Sequence, residues 1–270
     1  MILFDENIIV LIFKIMIPRA LLIIAILYSC CTHKAPVDCT SRIDCLLLNR
    51  IKLQWGETQQ RKEYTNYIKL YNPTAKSVFI KLHKKNPLFR IINLNHDSLD
   101  ISESSFRLAP KTCEMILVIF EPSDTLELGD FLQKLYFEFN GELCLTPLEM
   151  NATITEDFDM VKLDKSLPKV EIVQDFFNFD TVAKGKKVSA TFQINNSGEG
   201  NLIIRKIETT CTCTKYFVTE RVVPSGKSMT LNVEYSTMGS TGLQRKFVRI
   251  FCNDPTHSVV EFVVQGYVEN

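Results

Sequence analysis

Val188-Ser189-Ala190-Thr191-Phe192-Gln193-Ile194 puts an apolar side chain at every second position. A helix returns to the same face every 3.6 residues and a strand every two, so this period assigns the stretch to a strand with one buried face and one wet face. Outward from it, Met229, Leu231, Val233 and Tyr235 alternate in the same way with Thr230, Asn232 and Glu234. Between such runs lie Lys184-Gly185-Lys186, Asn196-Ser197-Gly198-Glu199-Gly200, Pro224-Ser225-Gly226 and Asn253-Asp254-Pro255, all rich in residues that accept positive φ or preset a bend. About seven short strands follow Pro168, with turns roughly every eight to twelve residues, and no segment there carries a helical stripe.

The pattern occurs twice. At an offset of 124 residues Trp55 falls on Phe179, Ile68 on Phe192, Leu70 on Ile194, Asn72 on Asn196, and Val78-Phe79-Ile80 on Leu202-Ile203-Ile204. At an offset of 114 Pro110 falls on Pro224, Met115, Leu117 and Ile119 on Met229, Leu231 and Val233, and Asn140-Gly141 on Asp254-Pro255. The expected fold is therefore all-β: two tandem immunoglobulin-like β-sandwich domains after an N-terminal signal and lipidation segment. Residues 46–156 form the first sandwich, 157–168 a linker, and 169–270 the second.

Upstream, residues 20–28 make a short apolar run preceded by Arg19 and ending in Leu27-Tyr28-Ser29-Cys30. A run this short suits a secretory signal better than a membrane span, which needs roughly 20 apolar residues. Leu, a small residue and then Cys resembles the lipobox of bacterial lipoproteins. Residues 1–30 are thus read as a signal peptide whose Cys30 becomes lipidated, and 31–45 as a tether; an uncleaved anchor is the competing reading. Met16-Ile17-Pro18-Arg19 would make a more ordinary start than Met1.

With 31 basic and 31 acidic residues, no overall field draws nucleic acid or anionic membrane. Nine cysteines exceed what a reduced cytosolic protein of this size usually carries, and their spacing is not that of zinc knuckles. No glycine-rich phosphate loop, Gly-x-Ser-x-Gly elbow or His-Glu-x-x-His pattern occurs, and none of the four histidines, His33, His83, His96 and His257, lies near Cys211 and Cys213 in sequence.

One chemical candidate remains, Thr209-Thr210-Cys211-Thr212-Cys213-Thr214, a loop after the apolar run 201–208. An extended chain holds residues two apart near the upper limit for a disulfide, so Cys211 and Cys213 are expected as a labile or reduced pair able to offer two thiolates to Cu(I). Cys252 is expected at the far pole, bonded to neither. Cys113 and Cys144 are expected at one pole of the first sandwich as disulfide partners. Cys39 and Cys45 either close a small loop or leave one thiol unpaired.

Phe177-Asn178-Phe179-Asp180-Thr181-Val182, Phe192-Gln193-Ile194-Asn195-Asn196-Ser197-Gly198, Cys211-Thr212-Cys213-Thr214, Val223-Pro224-Ser225-Gly226 and Asn253-Asp254-Pro255 together resemble the bacterial domain-of-unknown-function family 1573. The resemblance covers nearly all of residues 170–270 and implies a sandwich like those of major sperm protein and ASH domains. Asp180 and Thr212 stand where that family usually has glycine. The expectation is a lipid-anchored cell-envelope protein facing periplasm or cell surface. Its Cys30 lipid would hold it to the membrane, and it would act as a non-enzymatic module for an envelope protein or glycan, with no cofactor. A Cu(I)-binding or redox protein using Cys211 and Cys213 is the alternative.

Overall fold

The computed structural model describes residues 35–95, 99–101, 104–159 and 166–270; the signal segment with Cys30 and Cys31 falls outside them. All regular structure among the described residues is β, arranged as two immunoglobulin-like sandwiches. The chain divides into two compact units, but not at a single linker. The second unit takes in Glu57–Lys62 and Pro122–Asp130 as well as Thr153–Asn270. These pieces cohere through backbone bonds from Gln60 N to Thr155 O (3.0 Å) and Arg61 N to Pro122 O (2.7 Å), and through Gln60 Nε2 to Leu126 O (2.6 Å).

In the second unit a four-stranded sheet orders Val170–Ile172, Lys187–Asn196, Ser228–Ser236 and Thr214–Val218. The facing five-stranded sheet orders Phe176–Ala183, Val259–Glu269, Gly242–Cys252, Leu202–Thr209 and Val222–Val223. The quoted strand alternates without a break from Lys187 to Asn196, its apolar side chains buried and its polar ones exposed until Asn195. Val188, Ala190, Phe192 and Ile194 meet Met229, Leu231, Val233 and Tyr235 in a ladder and close over Phe262, Val264, Val248 and Ile250. Burial of these side chains, the Val, Leu, Ile, Phe and Met among them contributing about 1.5–3 kcal/mol each, holds the sheets face to face.

The first unit repeats this plan around Ile68, Ile116, Val118 and Phe120, with Phe120 stacked on Phe89 at 4.8 Å and tilted against Trp55 at 5.5 Å. Its six-stranded sheet begins with the hairpin Ser41–Ile43 and Leu46–Leu48, followed by Tyr64–Tyr71 and Cys113–Phe120.

The duplication extends to single hydrogen bonds. Asn72 and Asn196 are both buried; their amides donate to Ala109 O (3.1 Å) and Val223 O (2.8 Å), and their Oδ1 atoms accept from Thr74 N and Gly198 N (both 3.0 Å). Gly56 at φ 68° and Asp180 at φ 55° occupy the same left-handed bend after an aromatic residue.

In two places the repeat runs in a different register from the expected one. Ile68 faces Ile116 as Phe192 faces Leu231, which sets the offset on this strand at 115 rather than 114. The extra residue lies in the turn Pro224-Ser225-Gly226, where Gly226 N donates to Asn196 O as Lys111 N does to Asn72 O (both 2.9 Å). Nearly every residue of Cys113–Phe120 is buried, on both faces, so alternation there could not fix the register. Asn140 matches Asn253, not Asp254: their Oδ1 atoms accept from Phe79 N (2.9 Å) and Ile203 N (2.6 Å).

Candidate functional site

Most of the motif residues of the second unit are absorbed by the fold. Asp254, 1% exposed, accepts from Val170 N (2.9 Å), Thr256 N (2.8 Å) and Thr256 Oγ1 (2.8 Å), tying the first strand of the unit to its last turn. Gly198 and Gly200 let the backbone of Ser166, Leu167 and Pro168 approach so closely that a Cβ at either would strike it. Gly266 leaves room for the Phe179 ring in the same way. Asp180 replaces a glycine without losing the bend, because its N–H donates to Asn178 Oδ1 (3.1 Å) and its Oδ1 accepts from Asn178 Nδ2 (2.9 Å). Thr212 is not among the left-handed residues.

What the fold does not absorb is the loop between Leu202–Thr209, in the five-stranded sheet, and Thr214–Val218, in the four-stranded one. Thr210 ties its start to one sheet: its N–H donates to Phe247 O (3.2 Å), and its Oγ1 accepts from Phe247 N (3.2 Å). Cys213 O accepts from Ser236 N (2.9 Å) on the other sheet. Cys211 and Cys213 are joined in a disulfide with Cα atoms 5.2 Å apart. The expected extended geometry is therefore corrected: the chain turns here, Thr214 N donating to Cys211 O (3.1 Å), and the turn brings both Cα atoms well inside the 4.4–6.8 Å window. Both cysteines are half-buried, Cys213 packed on the core and Thr212 exposed. Bonded in this way, the pair has no thiolate to offer Cu(I), and no group of three or more His, Cys, Asp or Glu among the described residues is placed to hold a metal ion.

Cys252 lies opposite Ile204, and Val248 opposite Thr209, so Cys252 is at the far end of the strand from the loop. Burial pushes its thiol up to about 12, and the thiol donates to His257 O (3.3 Å).

Cys113 and Cys144 do not pair. Cys113 sits in the six-stranded sheet and packs with Cys39 and Tyr71, whereas Cys144 follows Glu142–Leu143 of another sheet, its N–H bonded to Phe137 O (2.9 Å). The two lie at different sheets, which keeps them from pairing. Cys39 and Cys45 are separated too, Cys45 lying at the hairpin tip beside Asp44 and Cys144.

Sequence reasoning missed an ionic cluster next to the loop. Arg249 grips Asp130 through both guanidinium nitrogens (2.7 and 2.5 Å) and reaches Glu208 (3.1 Å), which also pairs with Lys206 (2.8 Å). The Arg249 hydrogen bonds hold the Asp130 carboxyl below its ordinary range. Asp130, Glu208 and Arg249 line a cleft of about 410 Å³ with Thr209 and Thr210. Asp130 is 119 residues from Arg249, and no local pattern announces such a pair.

Beyond the disulfide, Thr214–Val218 is the last strand of its sheet. Tyr216 packs on the core, whereas Phe217 points outward at 61% exposure, opposite Asn232.

Residues 170–268 match the family described as Protein of unknown function (DUF1573), so the second unit carries a domain of that family. No curated protein matches the chain. Among solved structures, a protein of unknown function from Porphyromonas gingivalis has a TM-score of 0.56 at 14% identity, over 83% of this chain and 99% of that one. The ASH/PapD-like domain 7 of human CEP192 has a TM-score of 0.32 at 14% identity, over 39% of this chain and 87% of that domain.

Proposed function

With a C-terminal domain of this family as the premise, we propose that the protein is a lipid-anchored, non-enzymatic binding module of the bacterial envelope. Its second sandwich takes a partner along the edge strand Thr214–Val218. The exposed Phe217 on that edge carries the reading. An edge strand offers unpaired backbone N–H and C=O groups to an added strand, and an outward aromatic beside them supplies apolar contact. The disulfide fixes where this edge begins, by clamping the loop that crosses from one sheet to the other. It also supports an oxidising compartment. Cys30 as the lipidated residue supplies the membrane attachment.

The test places a photo-crosslinking residue at Lys215 in cells, with and without Phe217→Asp. A discrete envelope adduct that disappears with Phe217→Asp, while the melting temperature is kept, is the expected result. An adduct indifferent to Phe217, or equally strong from a probe at Lys186, refutes the edge. Cys30→Ala should abolish lipid labelling and leave an unprocessed precursor; label persisting on that variant would sink the anchor.

A second reading is favoured by the half-exposure of the bonded pair: dithiol–disulfide exchange through Cys211 and Cys213. Partner capture through mixed disulfides, trapped by Cys213→Ser and absent in the double serine variant, distinguishes it from edge binding.

A further inference from the structure

The hairpin Ser41–Ile43 and Leu46–Leu48 hangs on the first unit by few backbone bonds, since its inner strand pairs with Tyr64–Tyr71 at only Leu47↔Tyr71 and Leu48↔Leu70. Tyr71 in turn lies opposite Cys113. Leu47, Tyr71 and Cys113 therefore stand in a row on one face of the sheet, the face away from Ile68 and Ile116. Cys39 lies over this row, 4% exposed, in one apolar cluster with Tyr71 and Cys113. The segment is also held there by the ion pair of Asp38 with Lys69 Nζ (2.8 Å) and by Cys39 N bonding to Pro36 O (2.9 Å).

We propose that Cys39 and Cys113 close a second disulfide, which fastens the N-terminal hairpin to the central strand Cys113–Phe120 of the first unit. Cys113, packed in the same cluster, is the main reason the Cys39 thiol is held below its ordinary value. Cys39, on the outer segment that opens with the hairpin, is the nucleophile. Its thiolate attacks one sulfur of an external disulfide and releases one thiolate. Cys113 then attacks the Cys39 sulfur of the mixed disulfide and releases the second. The protein loses two protons and two electrons, and the external disulfide gains them as two thiols. Access comes through opening of the hairpin, whose two strands are three residues each. Once closed, the bond carries any pull from the tether directly into the central strand, where otherwise the short hairpin would unzip from its outer end.

In the cell the inference rests on the envelope location for its oxidant; in the tube glutathione disulfide supplies it, so the two readings fail separately. The reduced, detergent-solubilised full chain is equilibrated with glutathione disulfide, alkylated and digested with trypsin, which places Cys39 in peptide 35–42, Cys45 in 43–50, Cys113 in 112–134 and Cys144 in 135–162. The expected product links 35–42 to 112–134. It is lost in Cys113→Ser, and the melting temperature of the wild type rises on oxidation by on the order of 10 °C. Closure of Cys211–Cys213 in the same digest shows that the oxidant acted. If Cys39 and Cys113 are then both alkylated, or Cys39 is linked to Cys45 or Cys144, the proposal is overturned. Should Cys113→Ser fail to fold, the wild-type map alone decides.

Discussion

Replacing Asn196 by alanine isolates a single side chain on which a whole corner of the second unit depends. Asn196 is 1% exposed, and its amide donates to Gly200 O (2.7 Å) and Val223 O (2.8 Å). Its Oδ1 accepts from Gly198 N (3.0 Å) and Lys169 N (3.2 Å). Alanine removes all four bonds and leaves the backbone groups of a tight loop without these partners. At about 1 kcal/mol per net bond, and more where a buried group stays unsatisfied, the loss is roughly 3–5 kcal/mol. Against a domain stability of about 5–15 kcal/mol, this is a drop of roughly 15–25 °C in melting temperature. The assay uses the single tryptophan, Trp55, which belongs to the first unit. Far-ultraviolet circular dichroism follows both units and Trp55 fluorescence the first alone. Asn196→Ala should move one dichroism transition and leave the fluorescence transition in place, and Asn72→Ala should move the fluorescence transition together with the other dichroism transition. A cost under about 1 kcal/mol for Asn196→Ala would falsify the hydrogen-bond account. A fluorescence transition that follows Asn196→Ala would instead refute independent cores.

Gly266→Ala forces its Cβ into the Phe179 ring and should cost about 1–3 kcal/mol in urea unfolding; no measurable change would mean that the bend at Phe179 yields freely. Asp180→Gly should be neutral or stabilising by up to about 1 kcal/mol, while Asp180→Ala, which keeps the positive φ without the Asn178 bonds, should destabilise by about 1 kcal/mol. Equal melting temperatures for the two variants would contradict the left-handed requirement. Asp130 has a lowered folded-state pKa, caused first by its Arg249 hydrogen bonds, so its stabilisation is present above its unfolded value of 3.8 and fades as pH falls through the lower folded value. With the carboxylate 66% exposed, Asp130→Asn should therefore lower the midpoint slightly at pH 7, less so in high salt, and match the wild type once both forms are uncharged in acid; a difference that grows toward low pH reverses the sign and rejects the pairing.

The fold was legible because alternation in a half-buried strand is written directly into residue order, as in Lys187–Asn196. Alternation failed where both faces are buried, as in Cys113–Phe120, and there the register slipped by one residue. Asn72 and Asn196 could be aligned from sequence, but only the structure shows that they cap equivalent loops. The thiol loop was found from its two cysteines. Its bonded state depended on a local turn, Thr214 N to Cys211 O, that the residue types did not dictate. Cysteine pairing in the first unit was misread because sheet membership, not a shared pole of the sandwich, decides which thiols meet. Cys39 reaches Cys113 only because a short hairpin folds back over Tyr71. The Arg249, Asp130 and Glu208 cluster had no signal at all, being assembled from distant strands.

Edge-strand binding is tested most directly by backbone hydrogen exchange on the full chain, with and without a detergent extract of its own envelope. Partner addition along the edge should slow exchange at the amides of residues 214–218 and leave those of residues 231–235, already paired on both sides, unchanged. Protection that appears elsewhere while residues 214–218 exchange at the free rate would contradict binding through this edge.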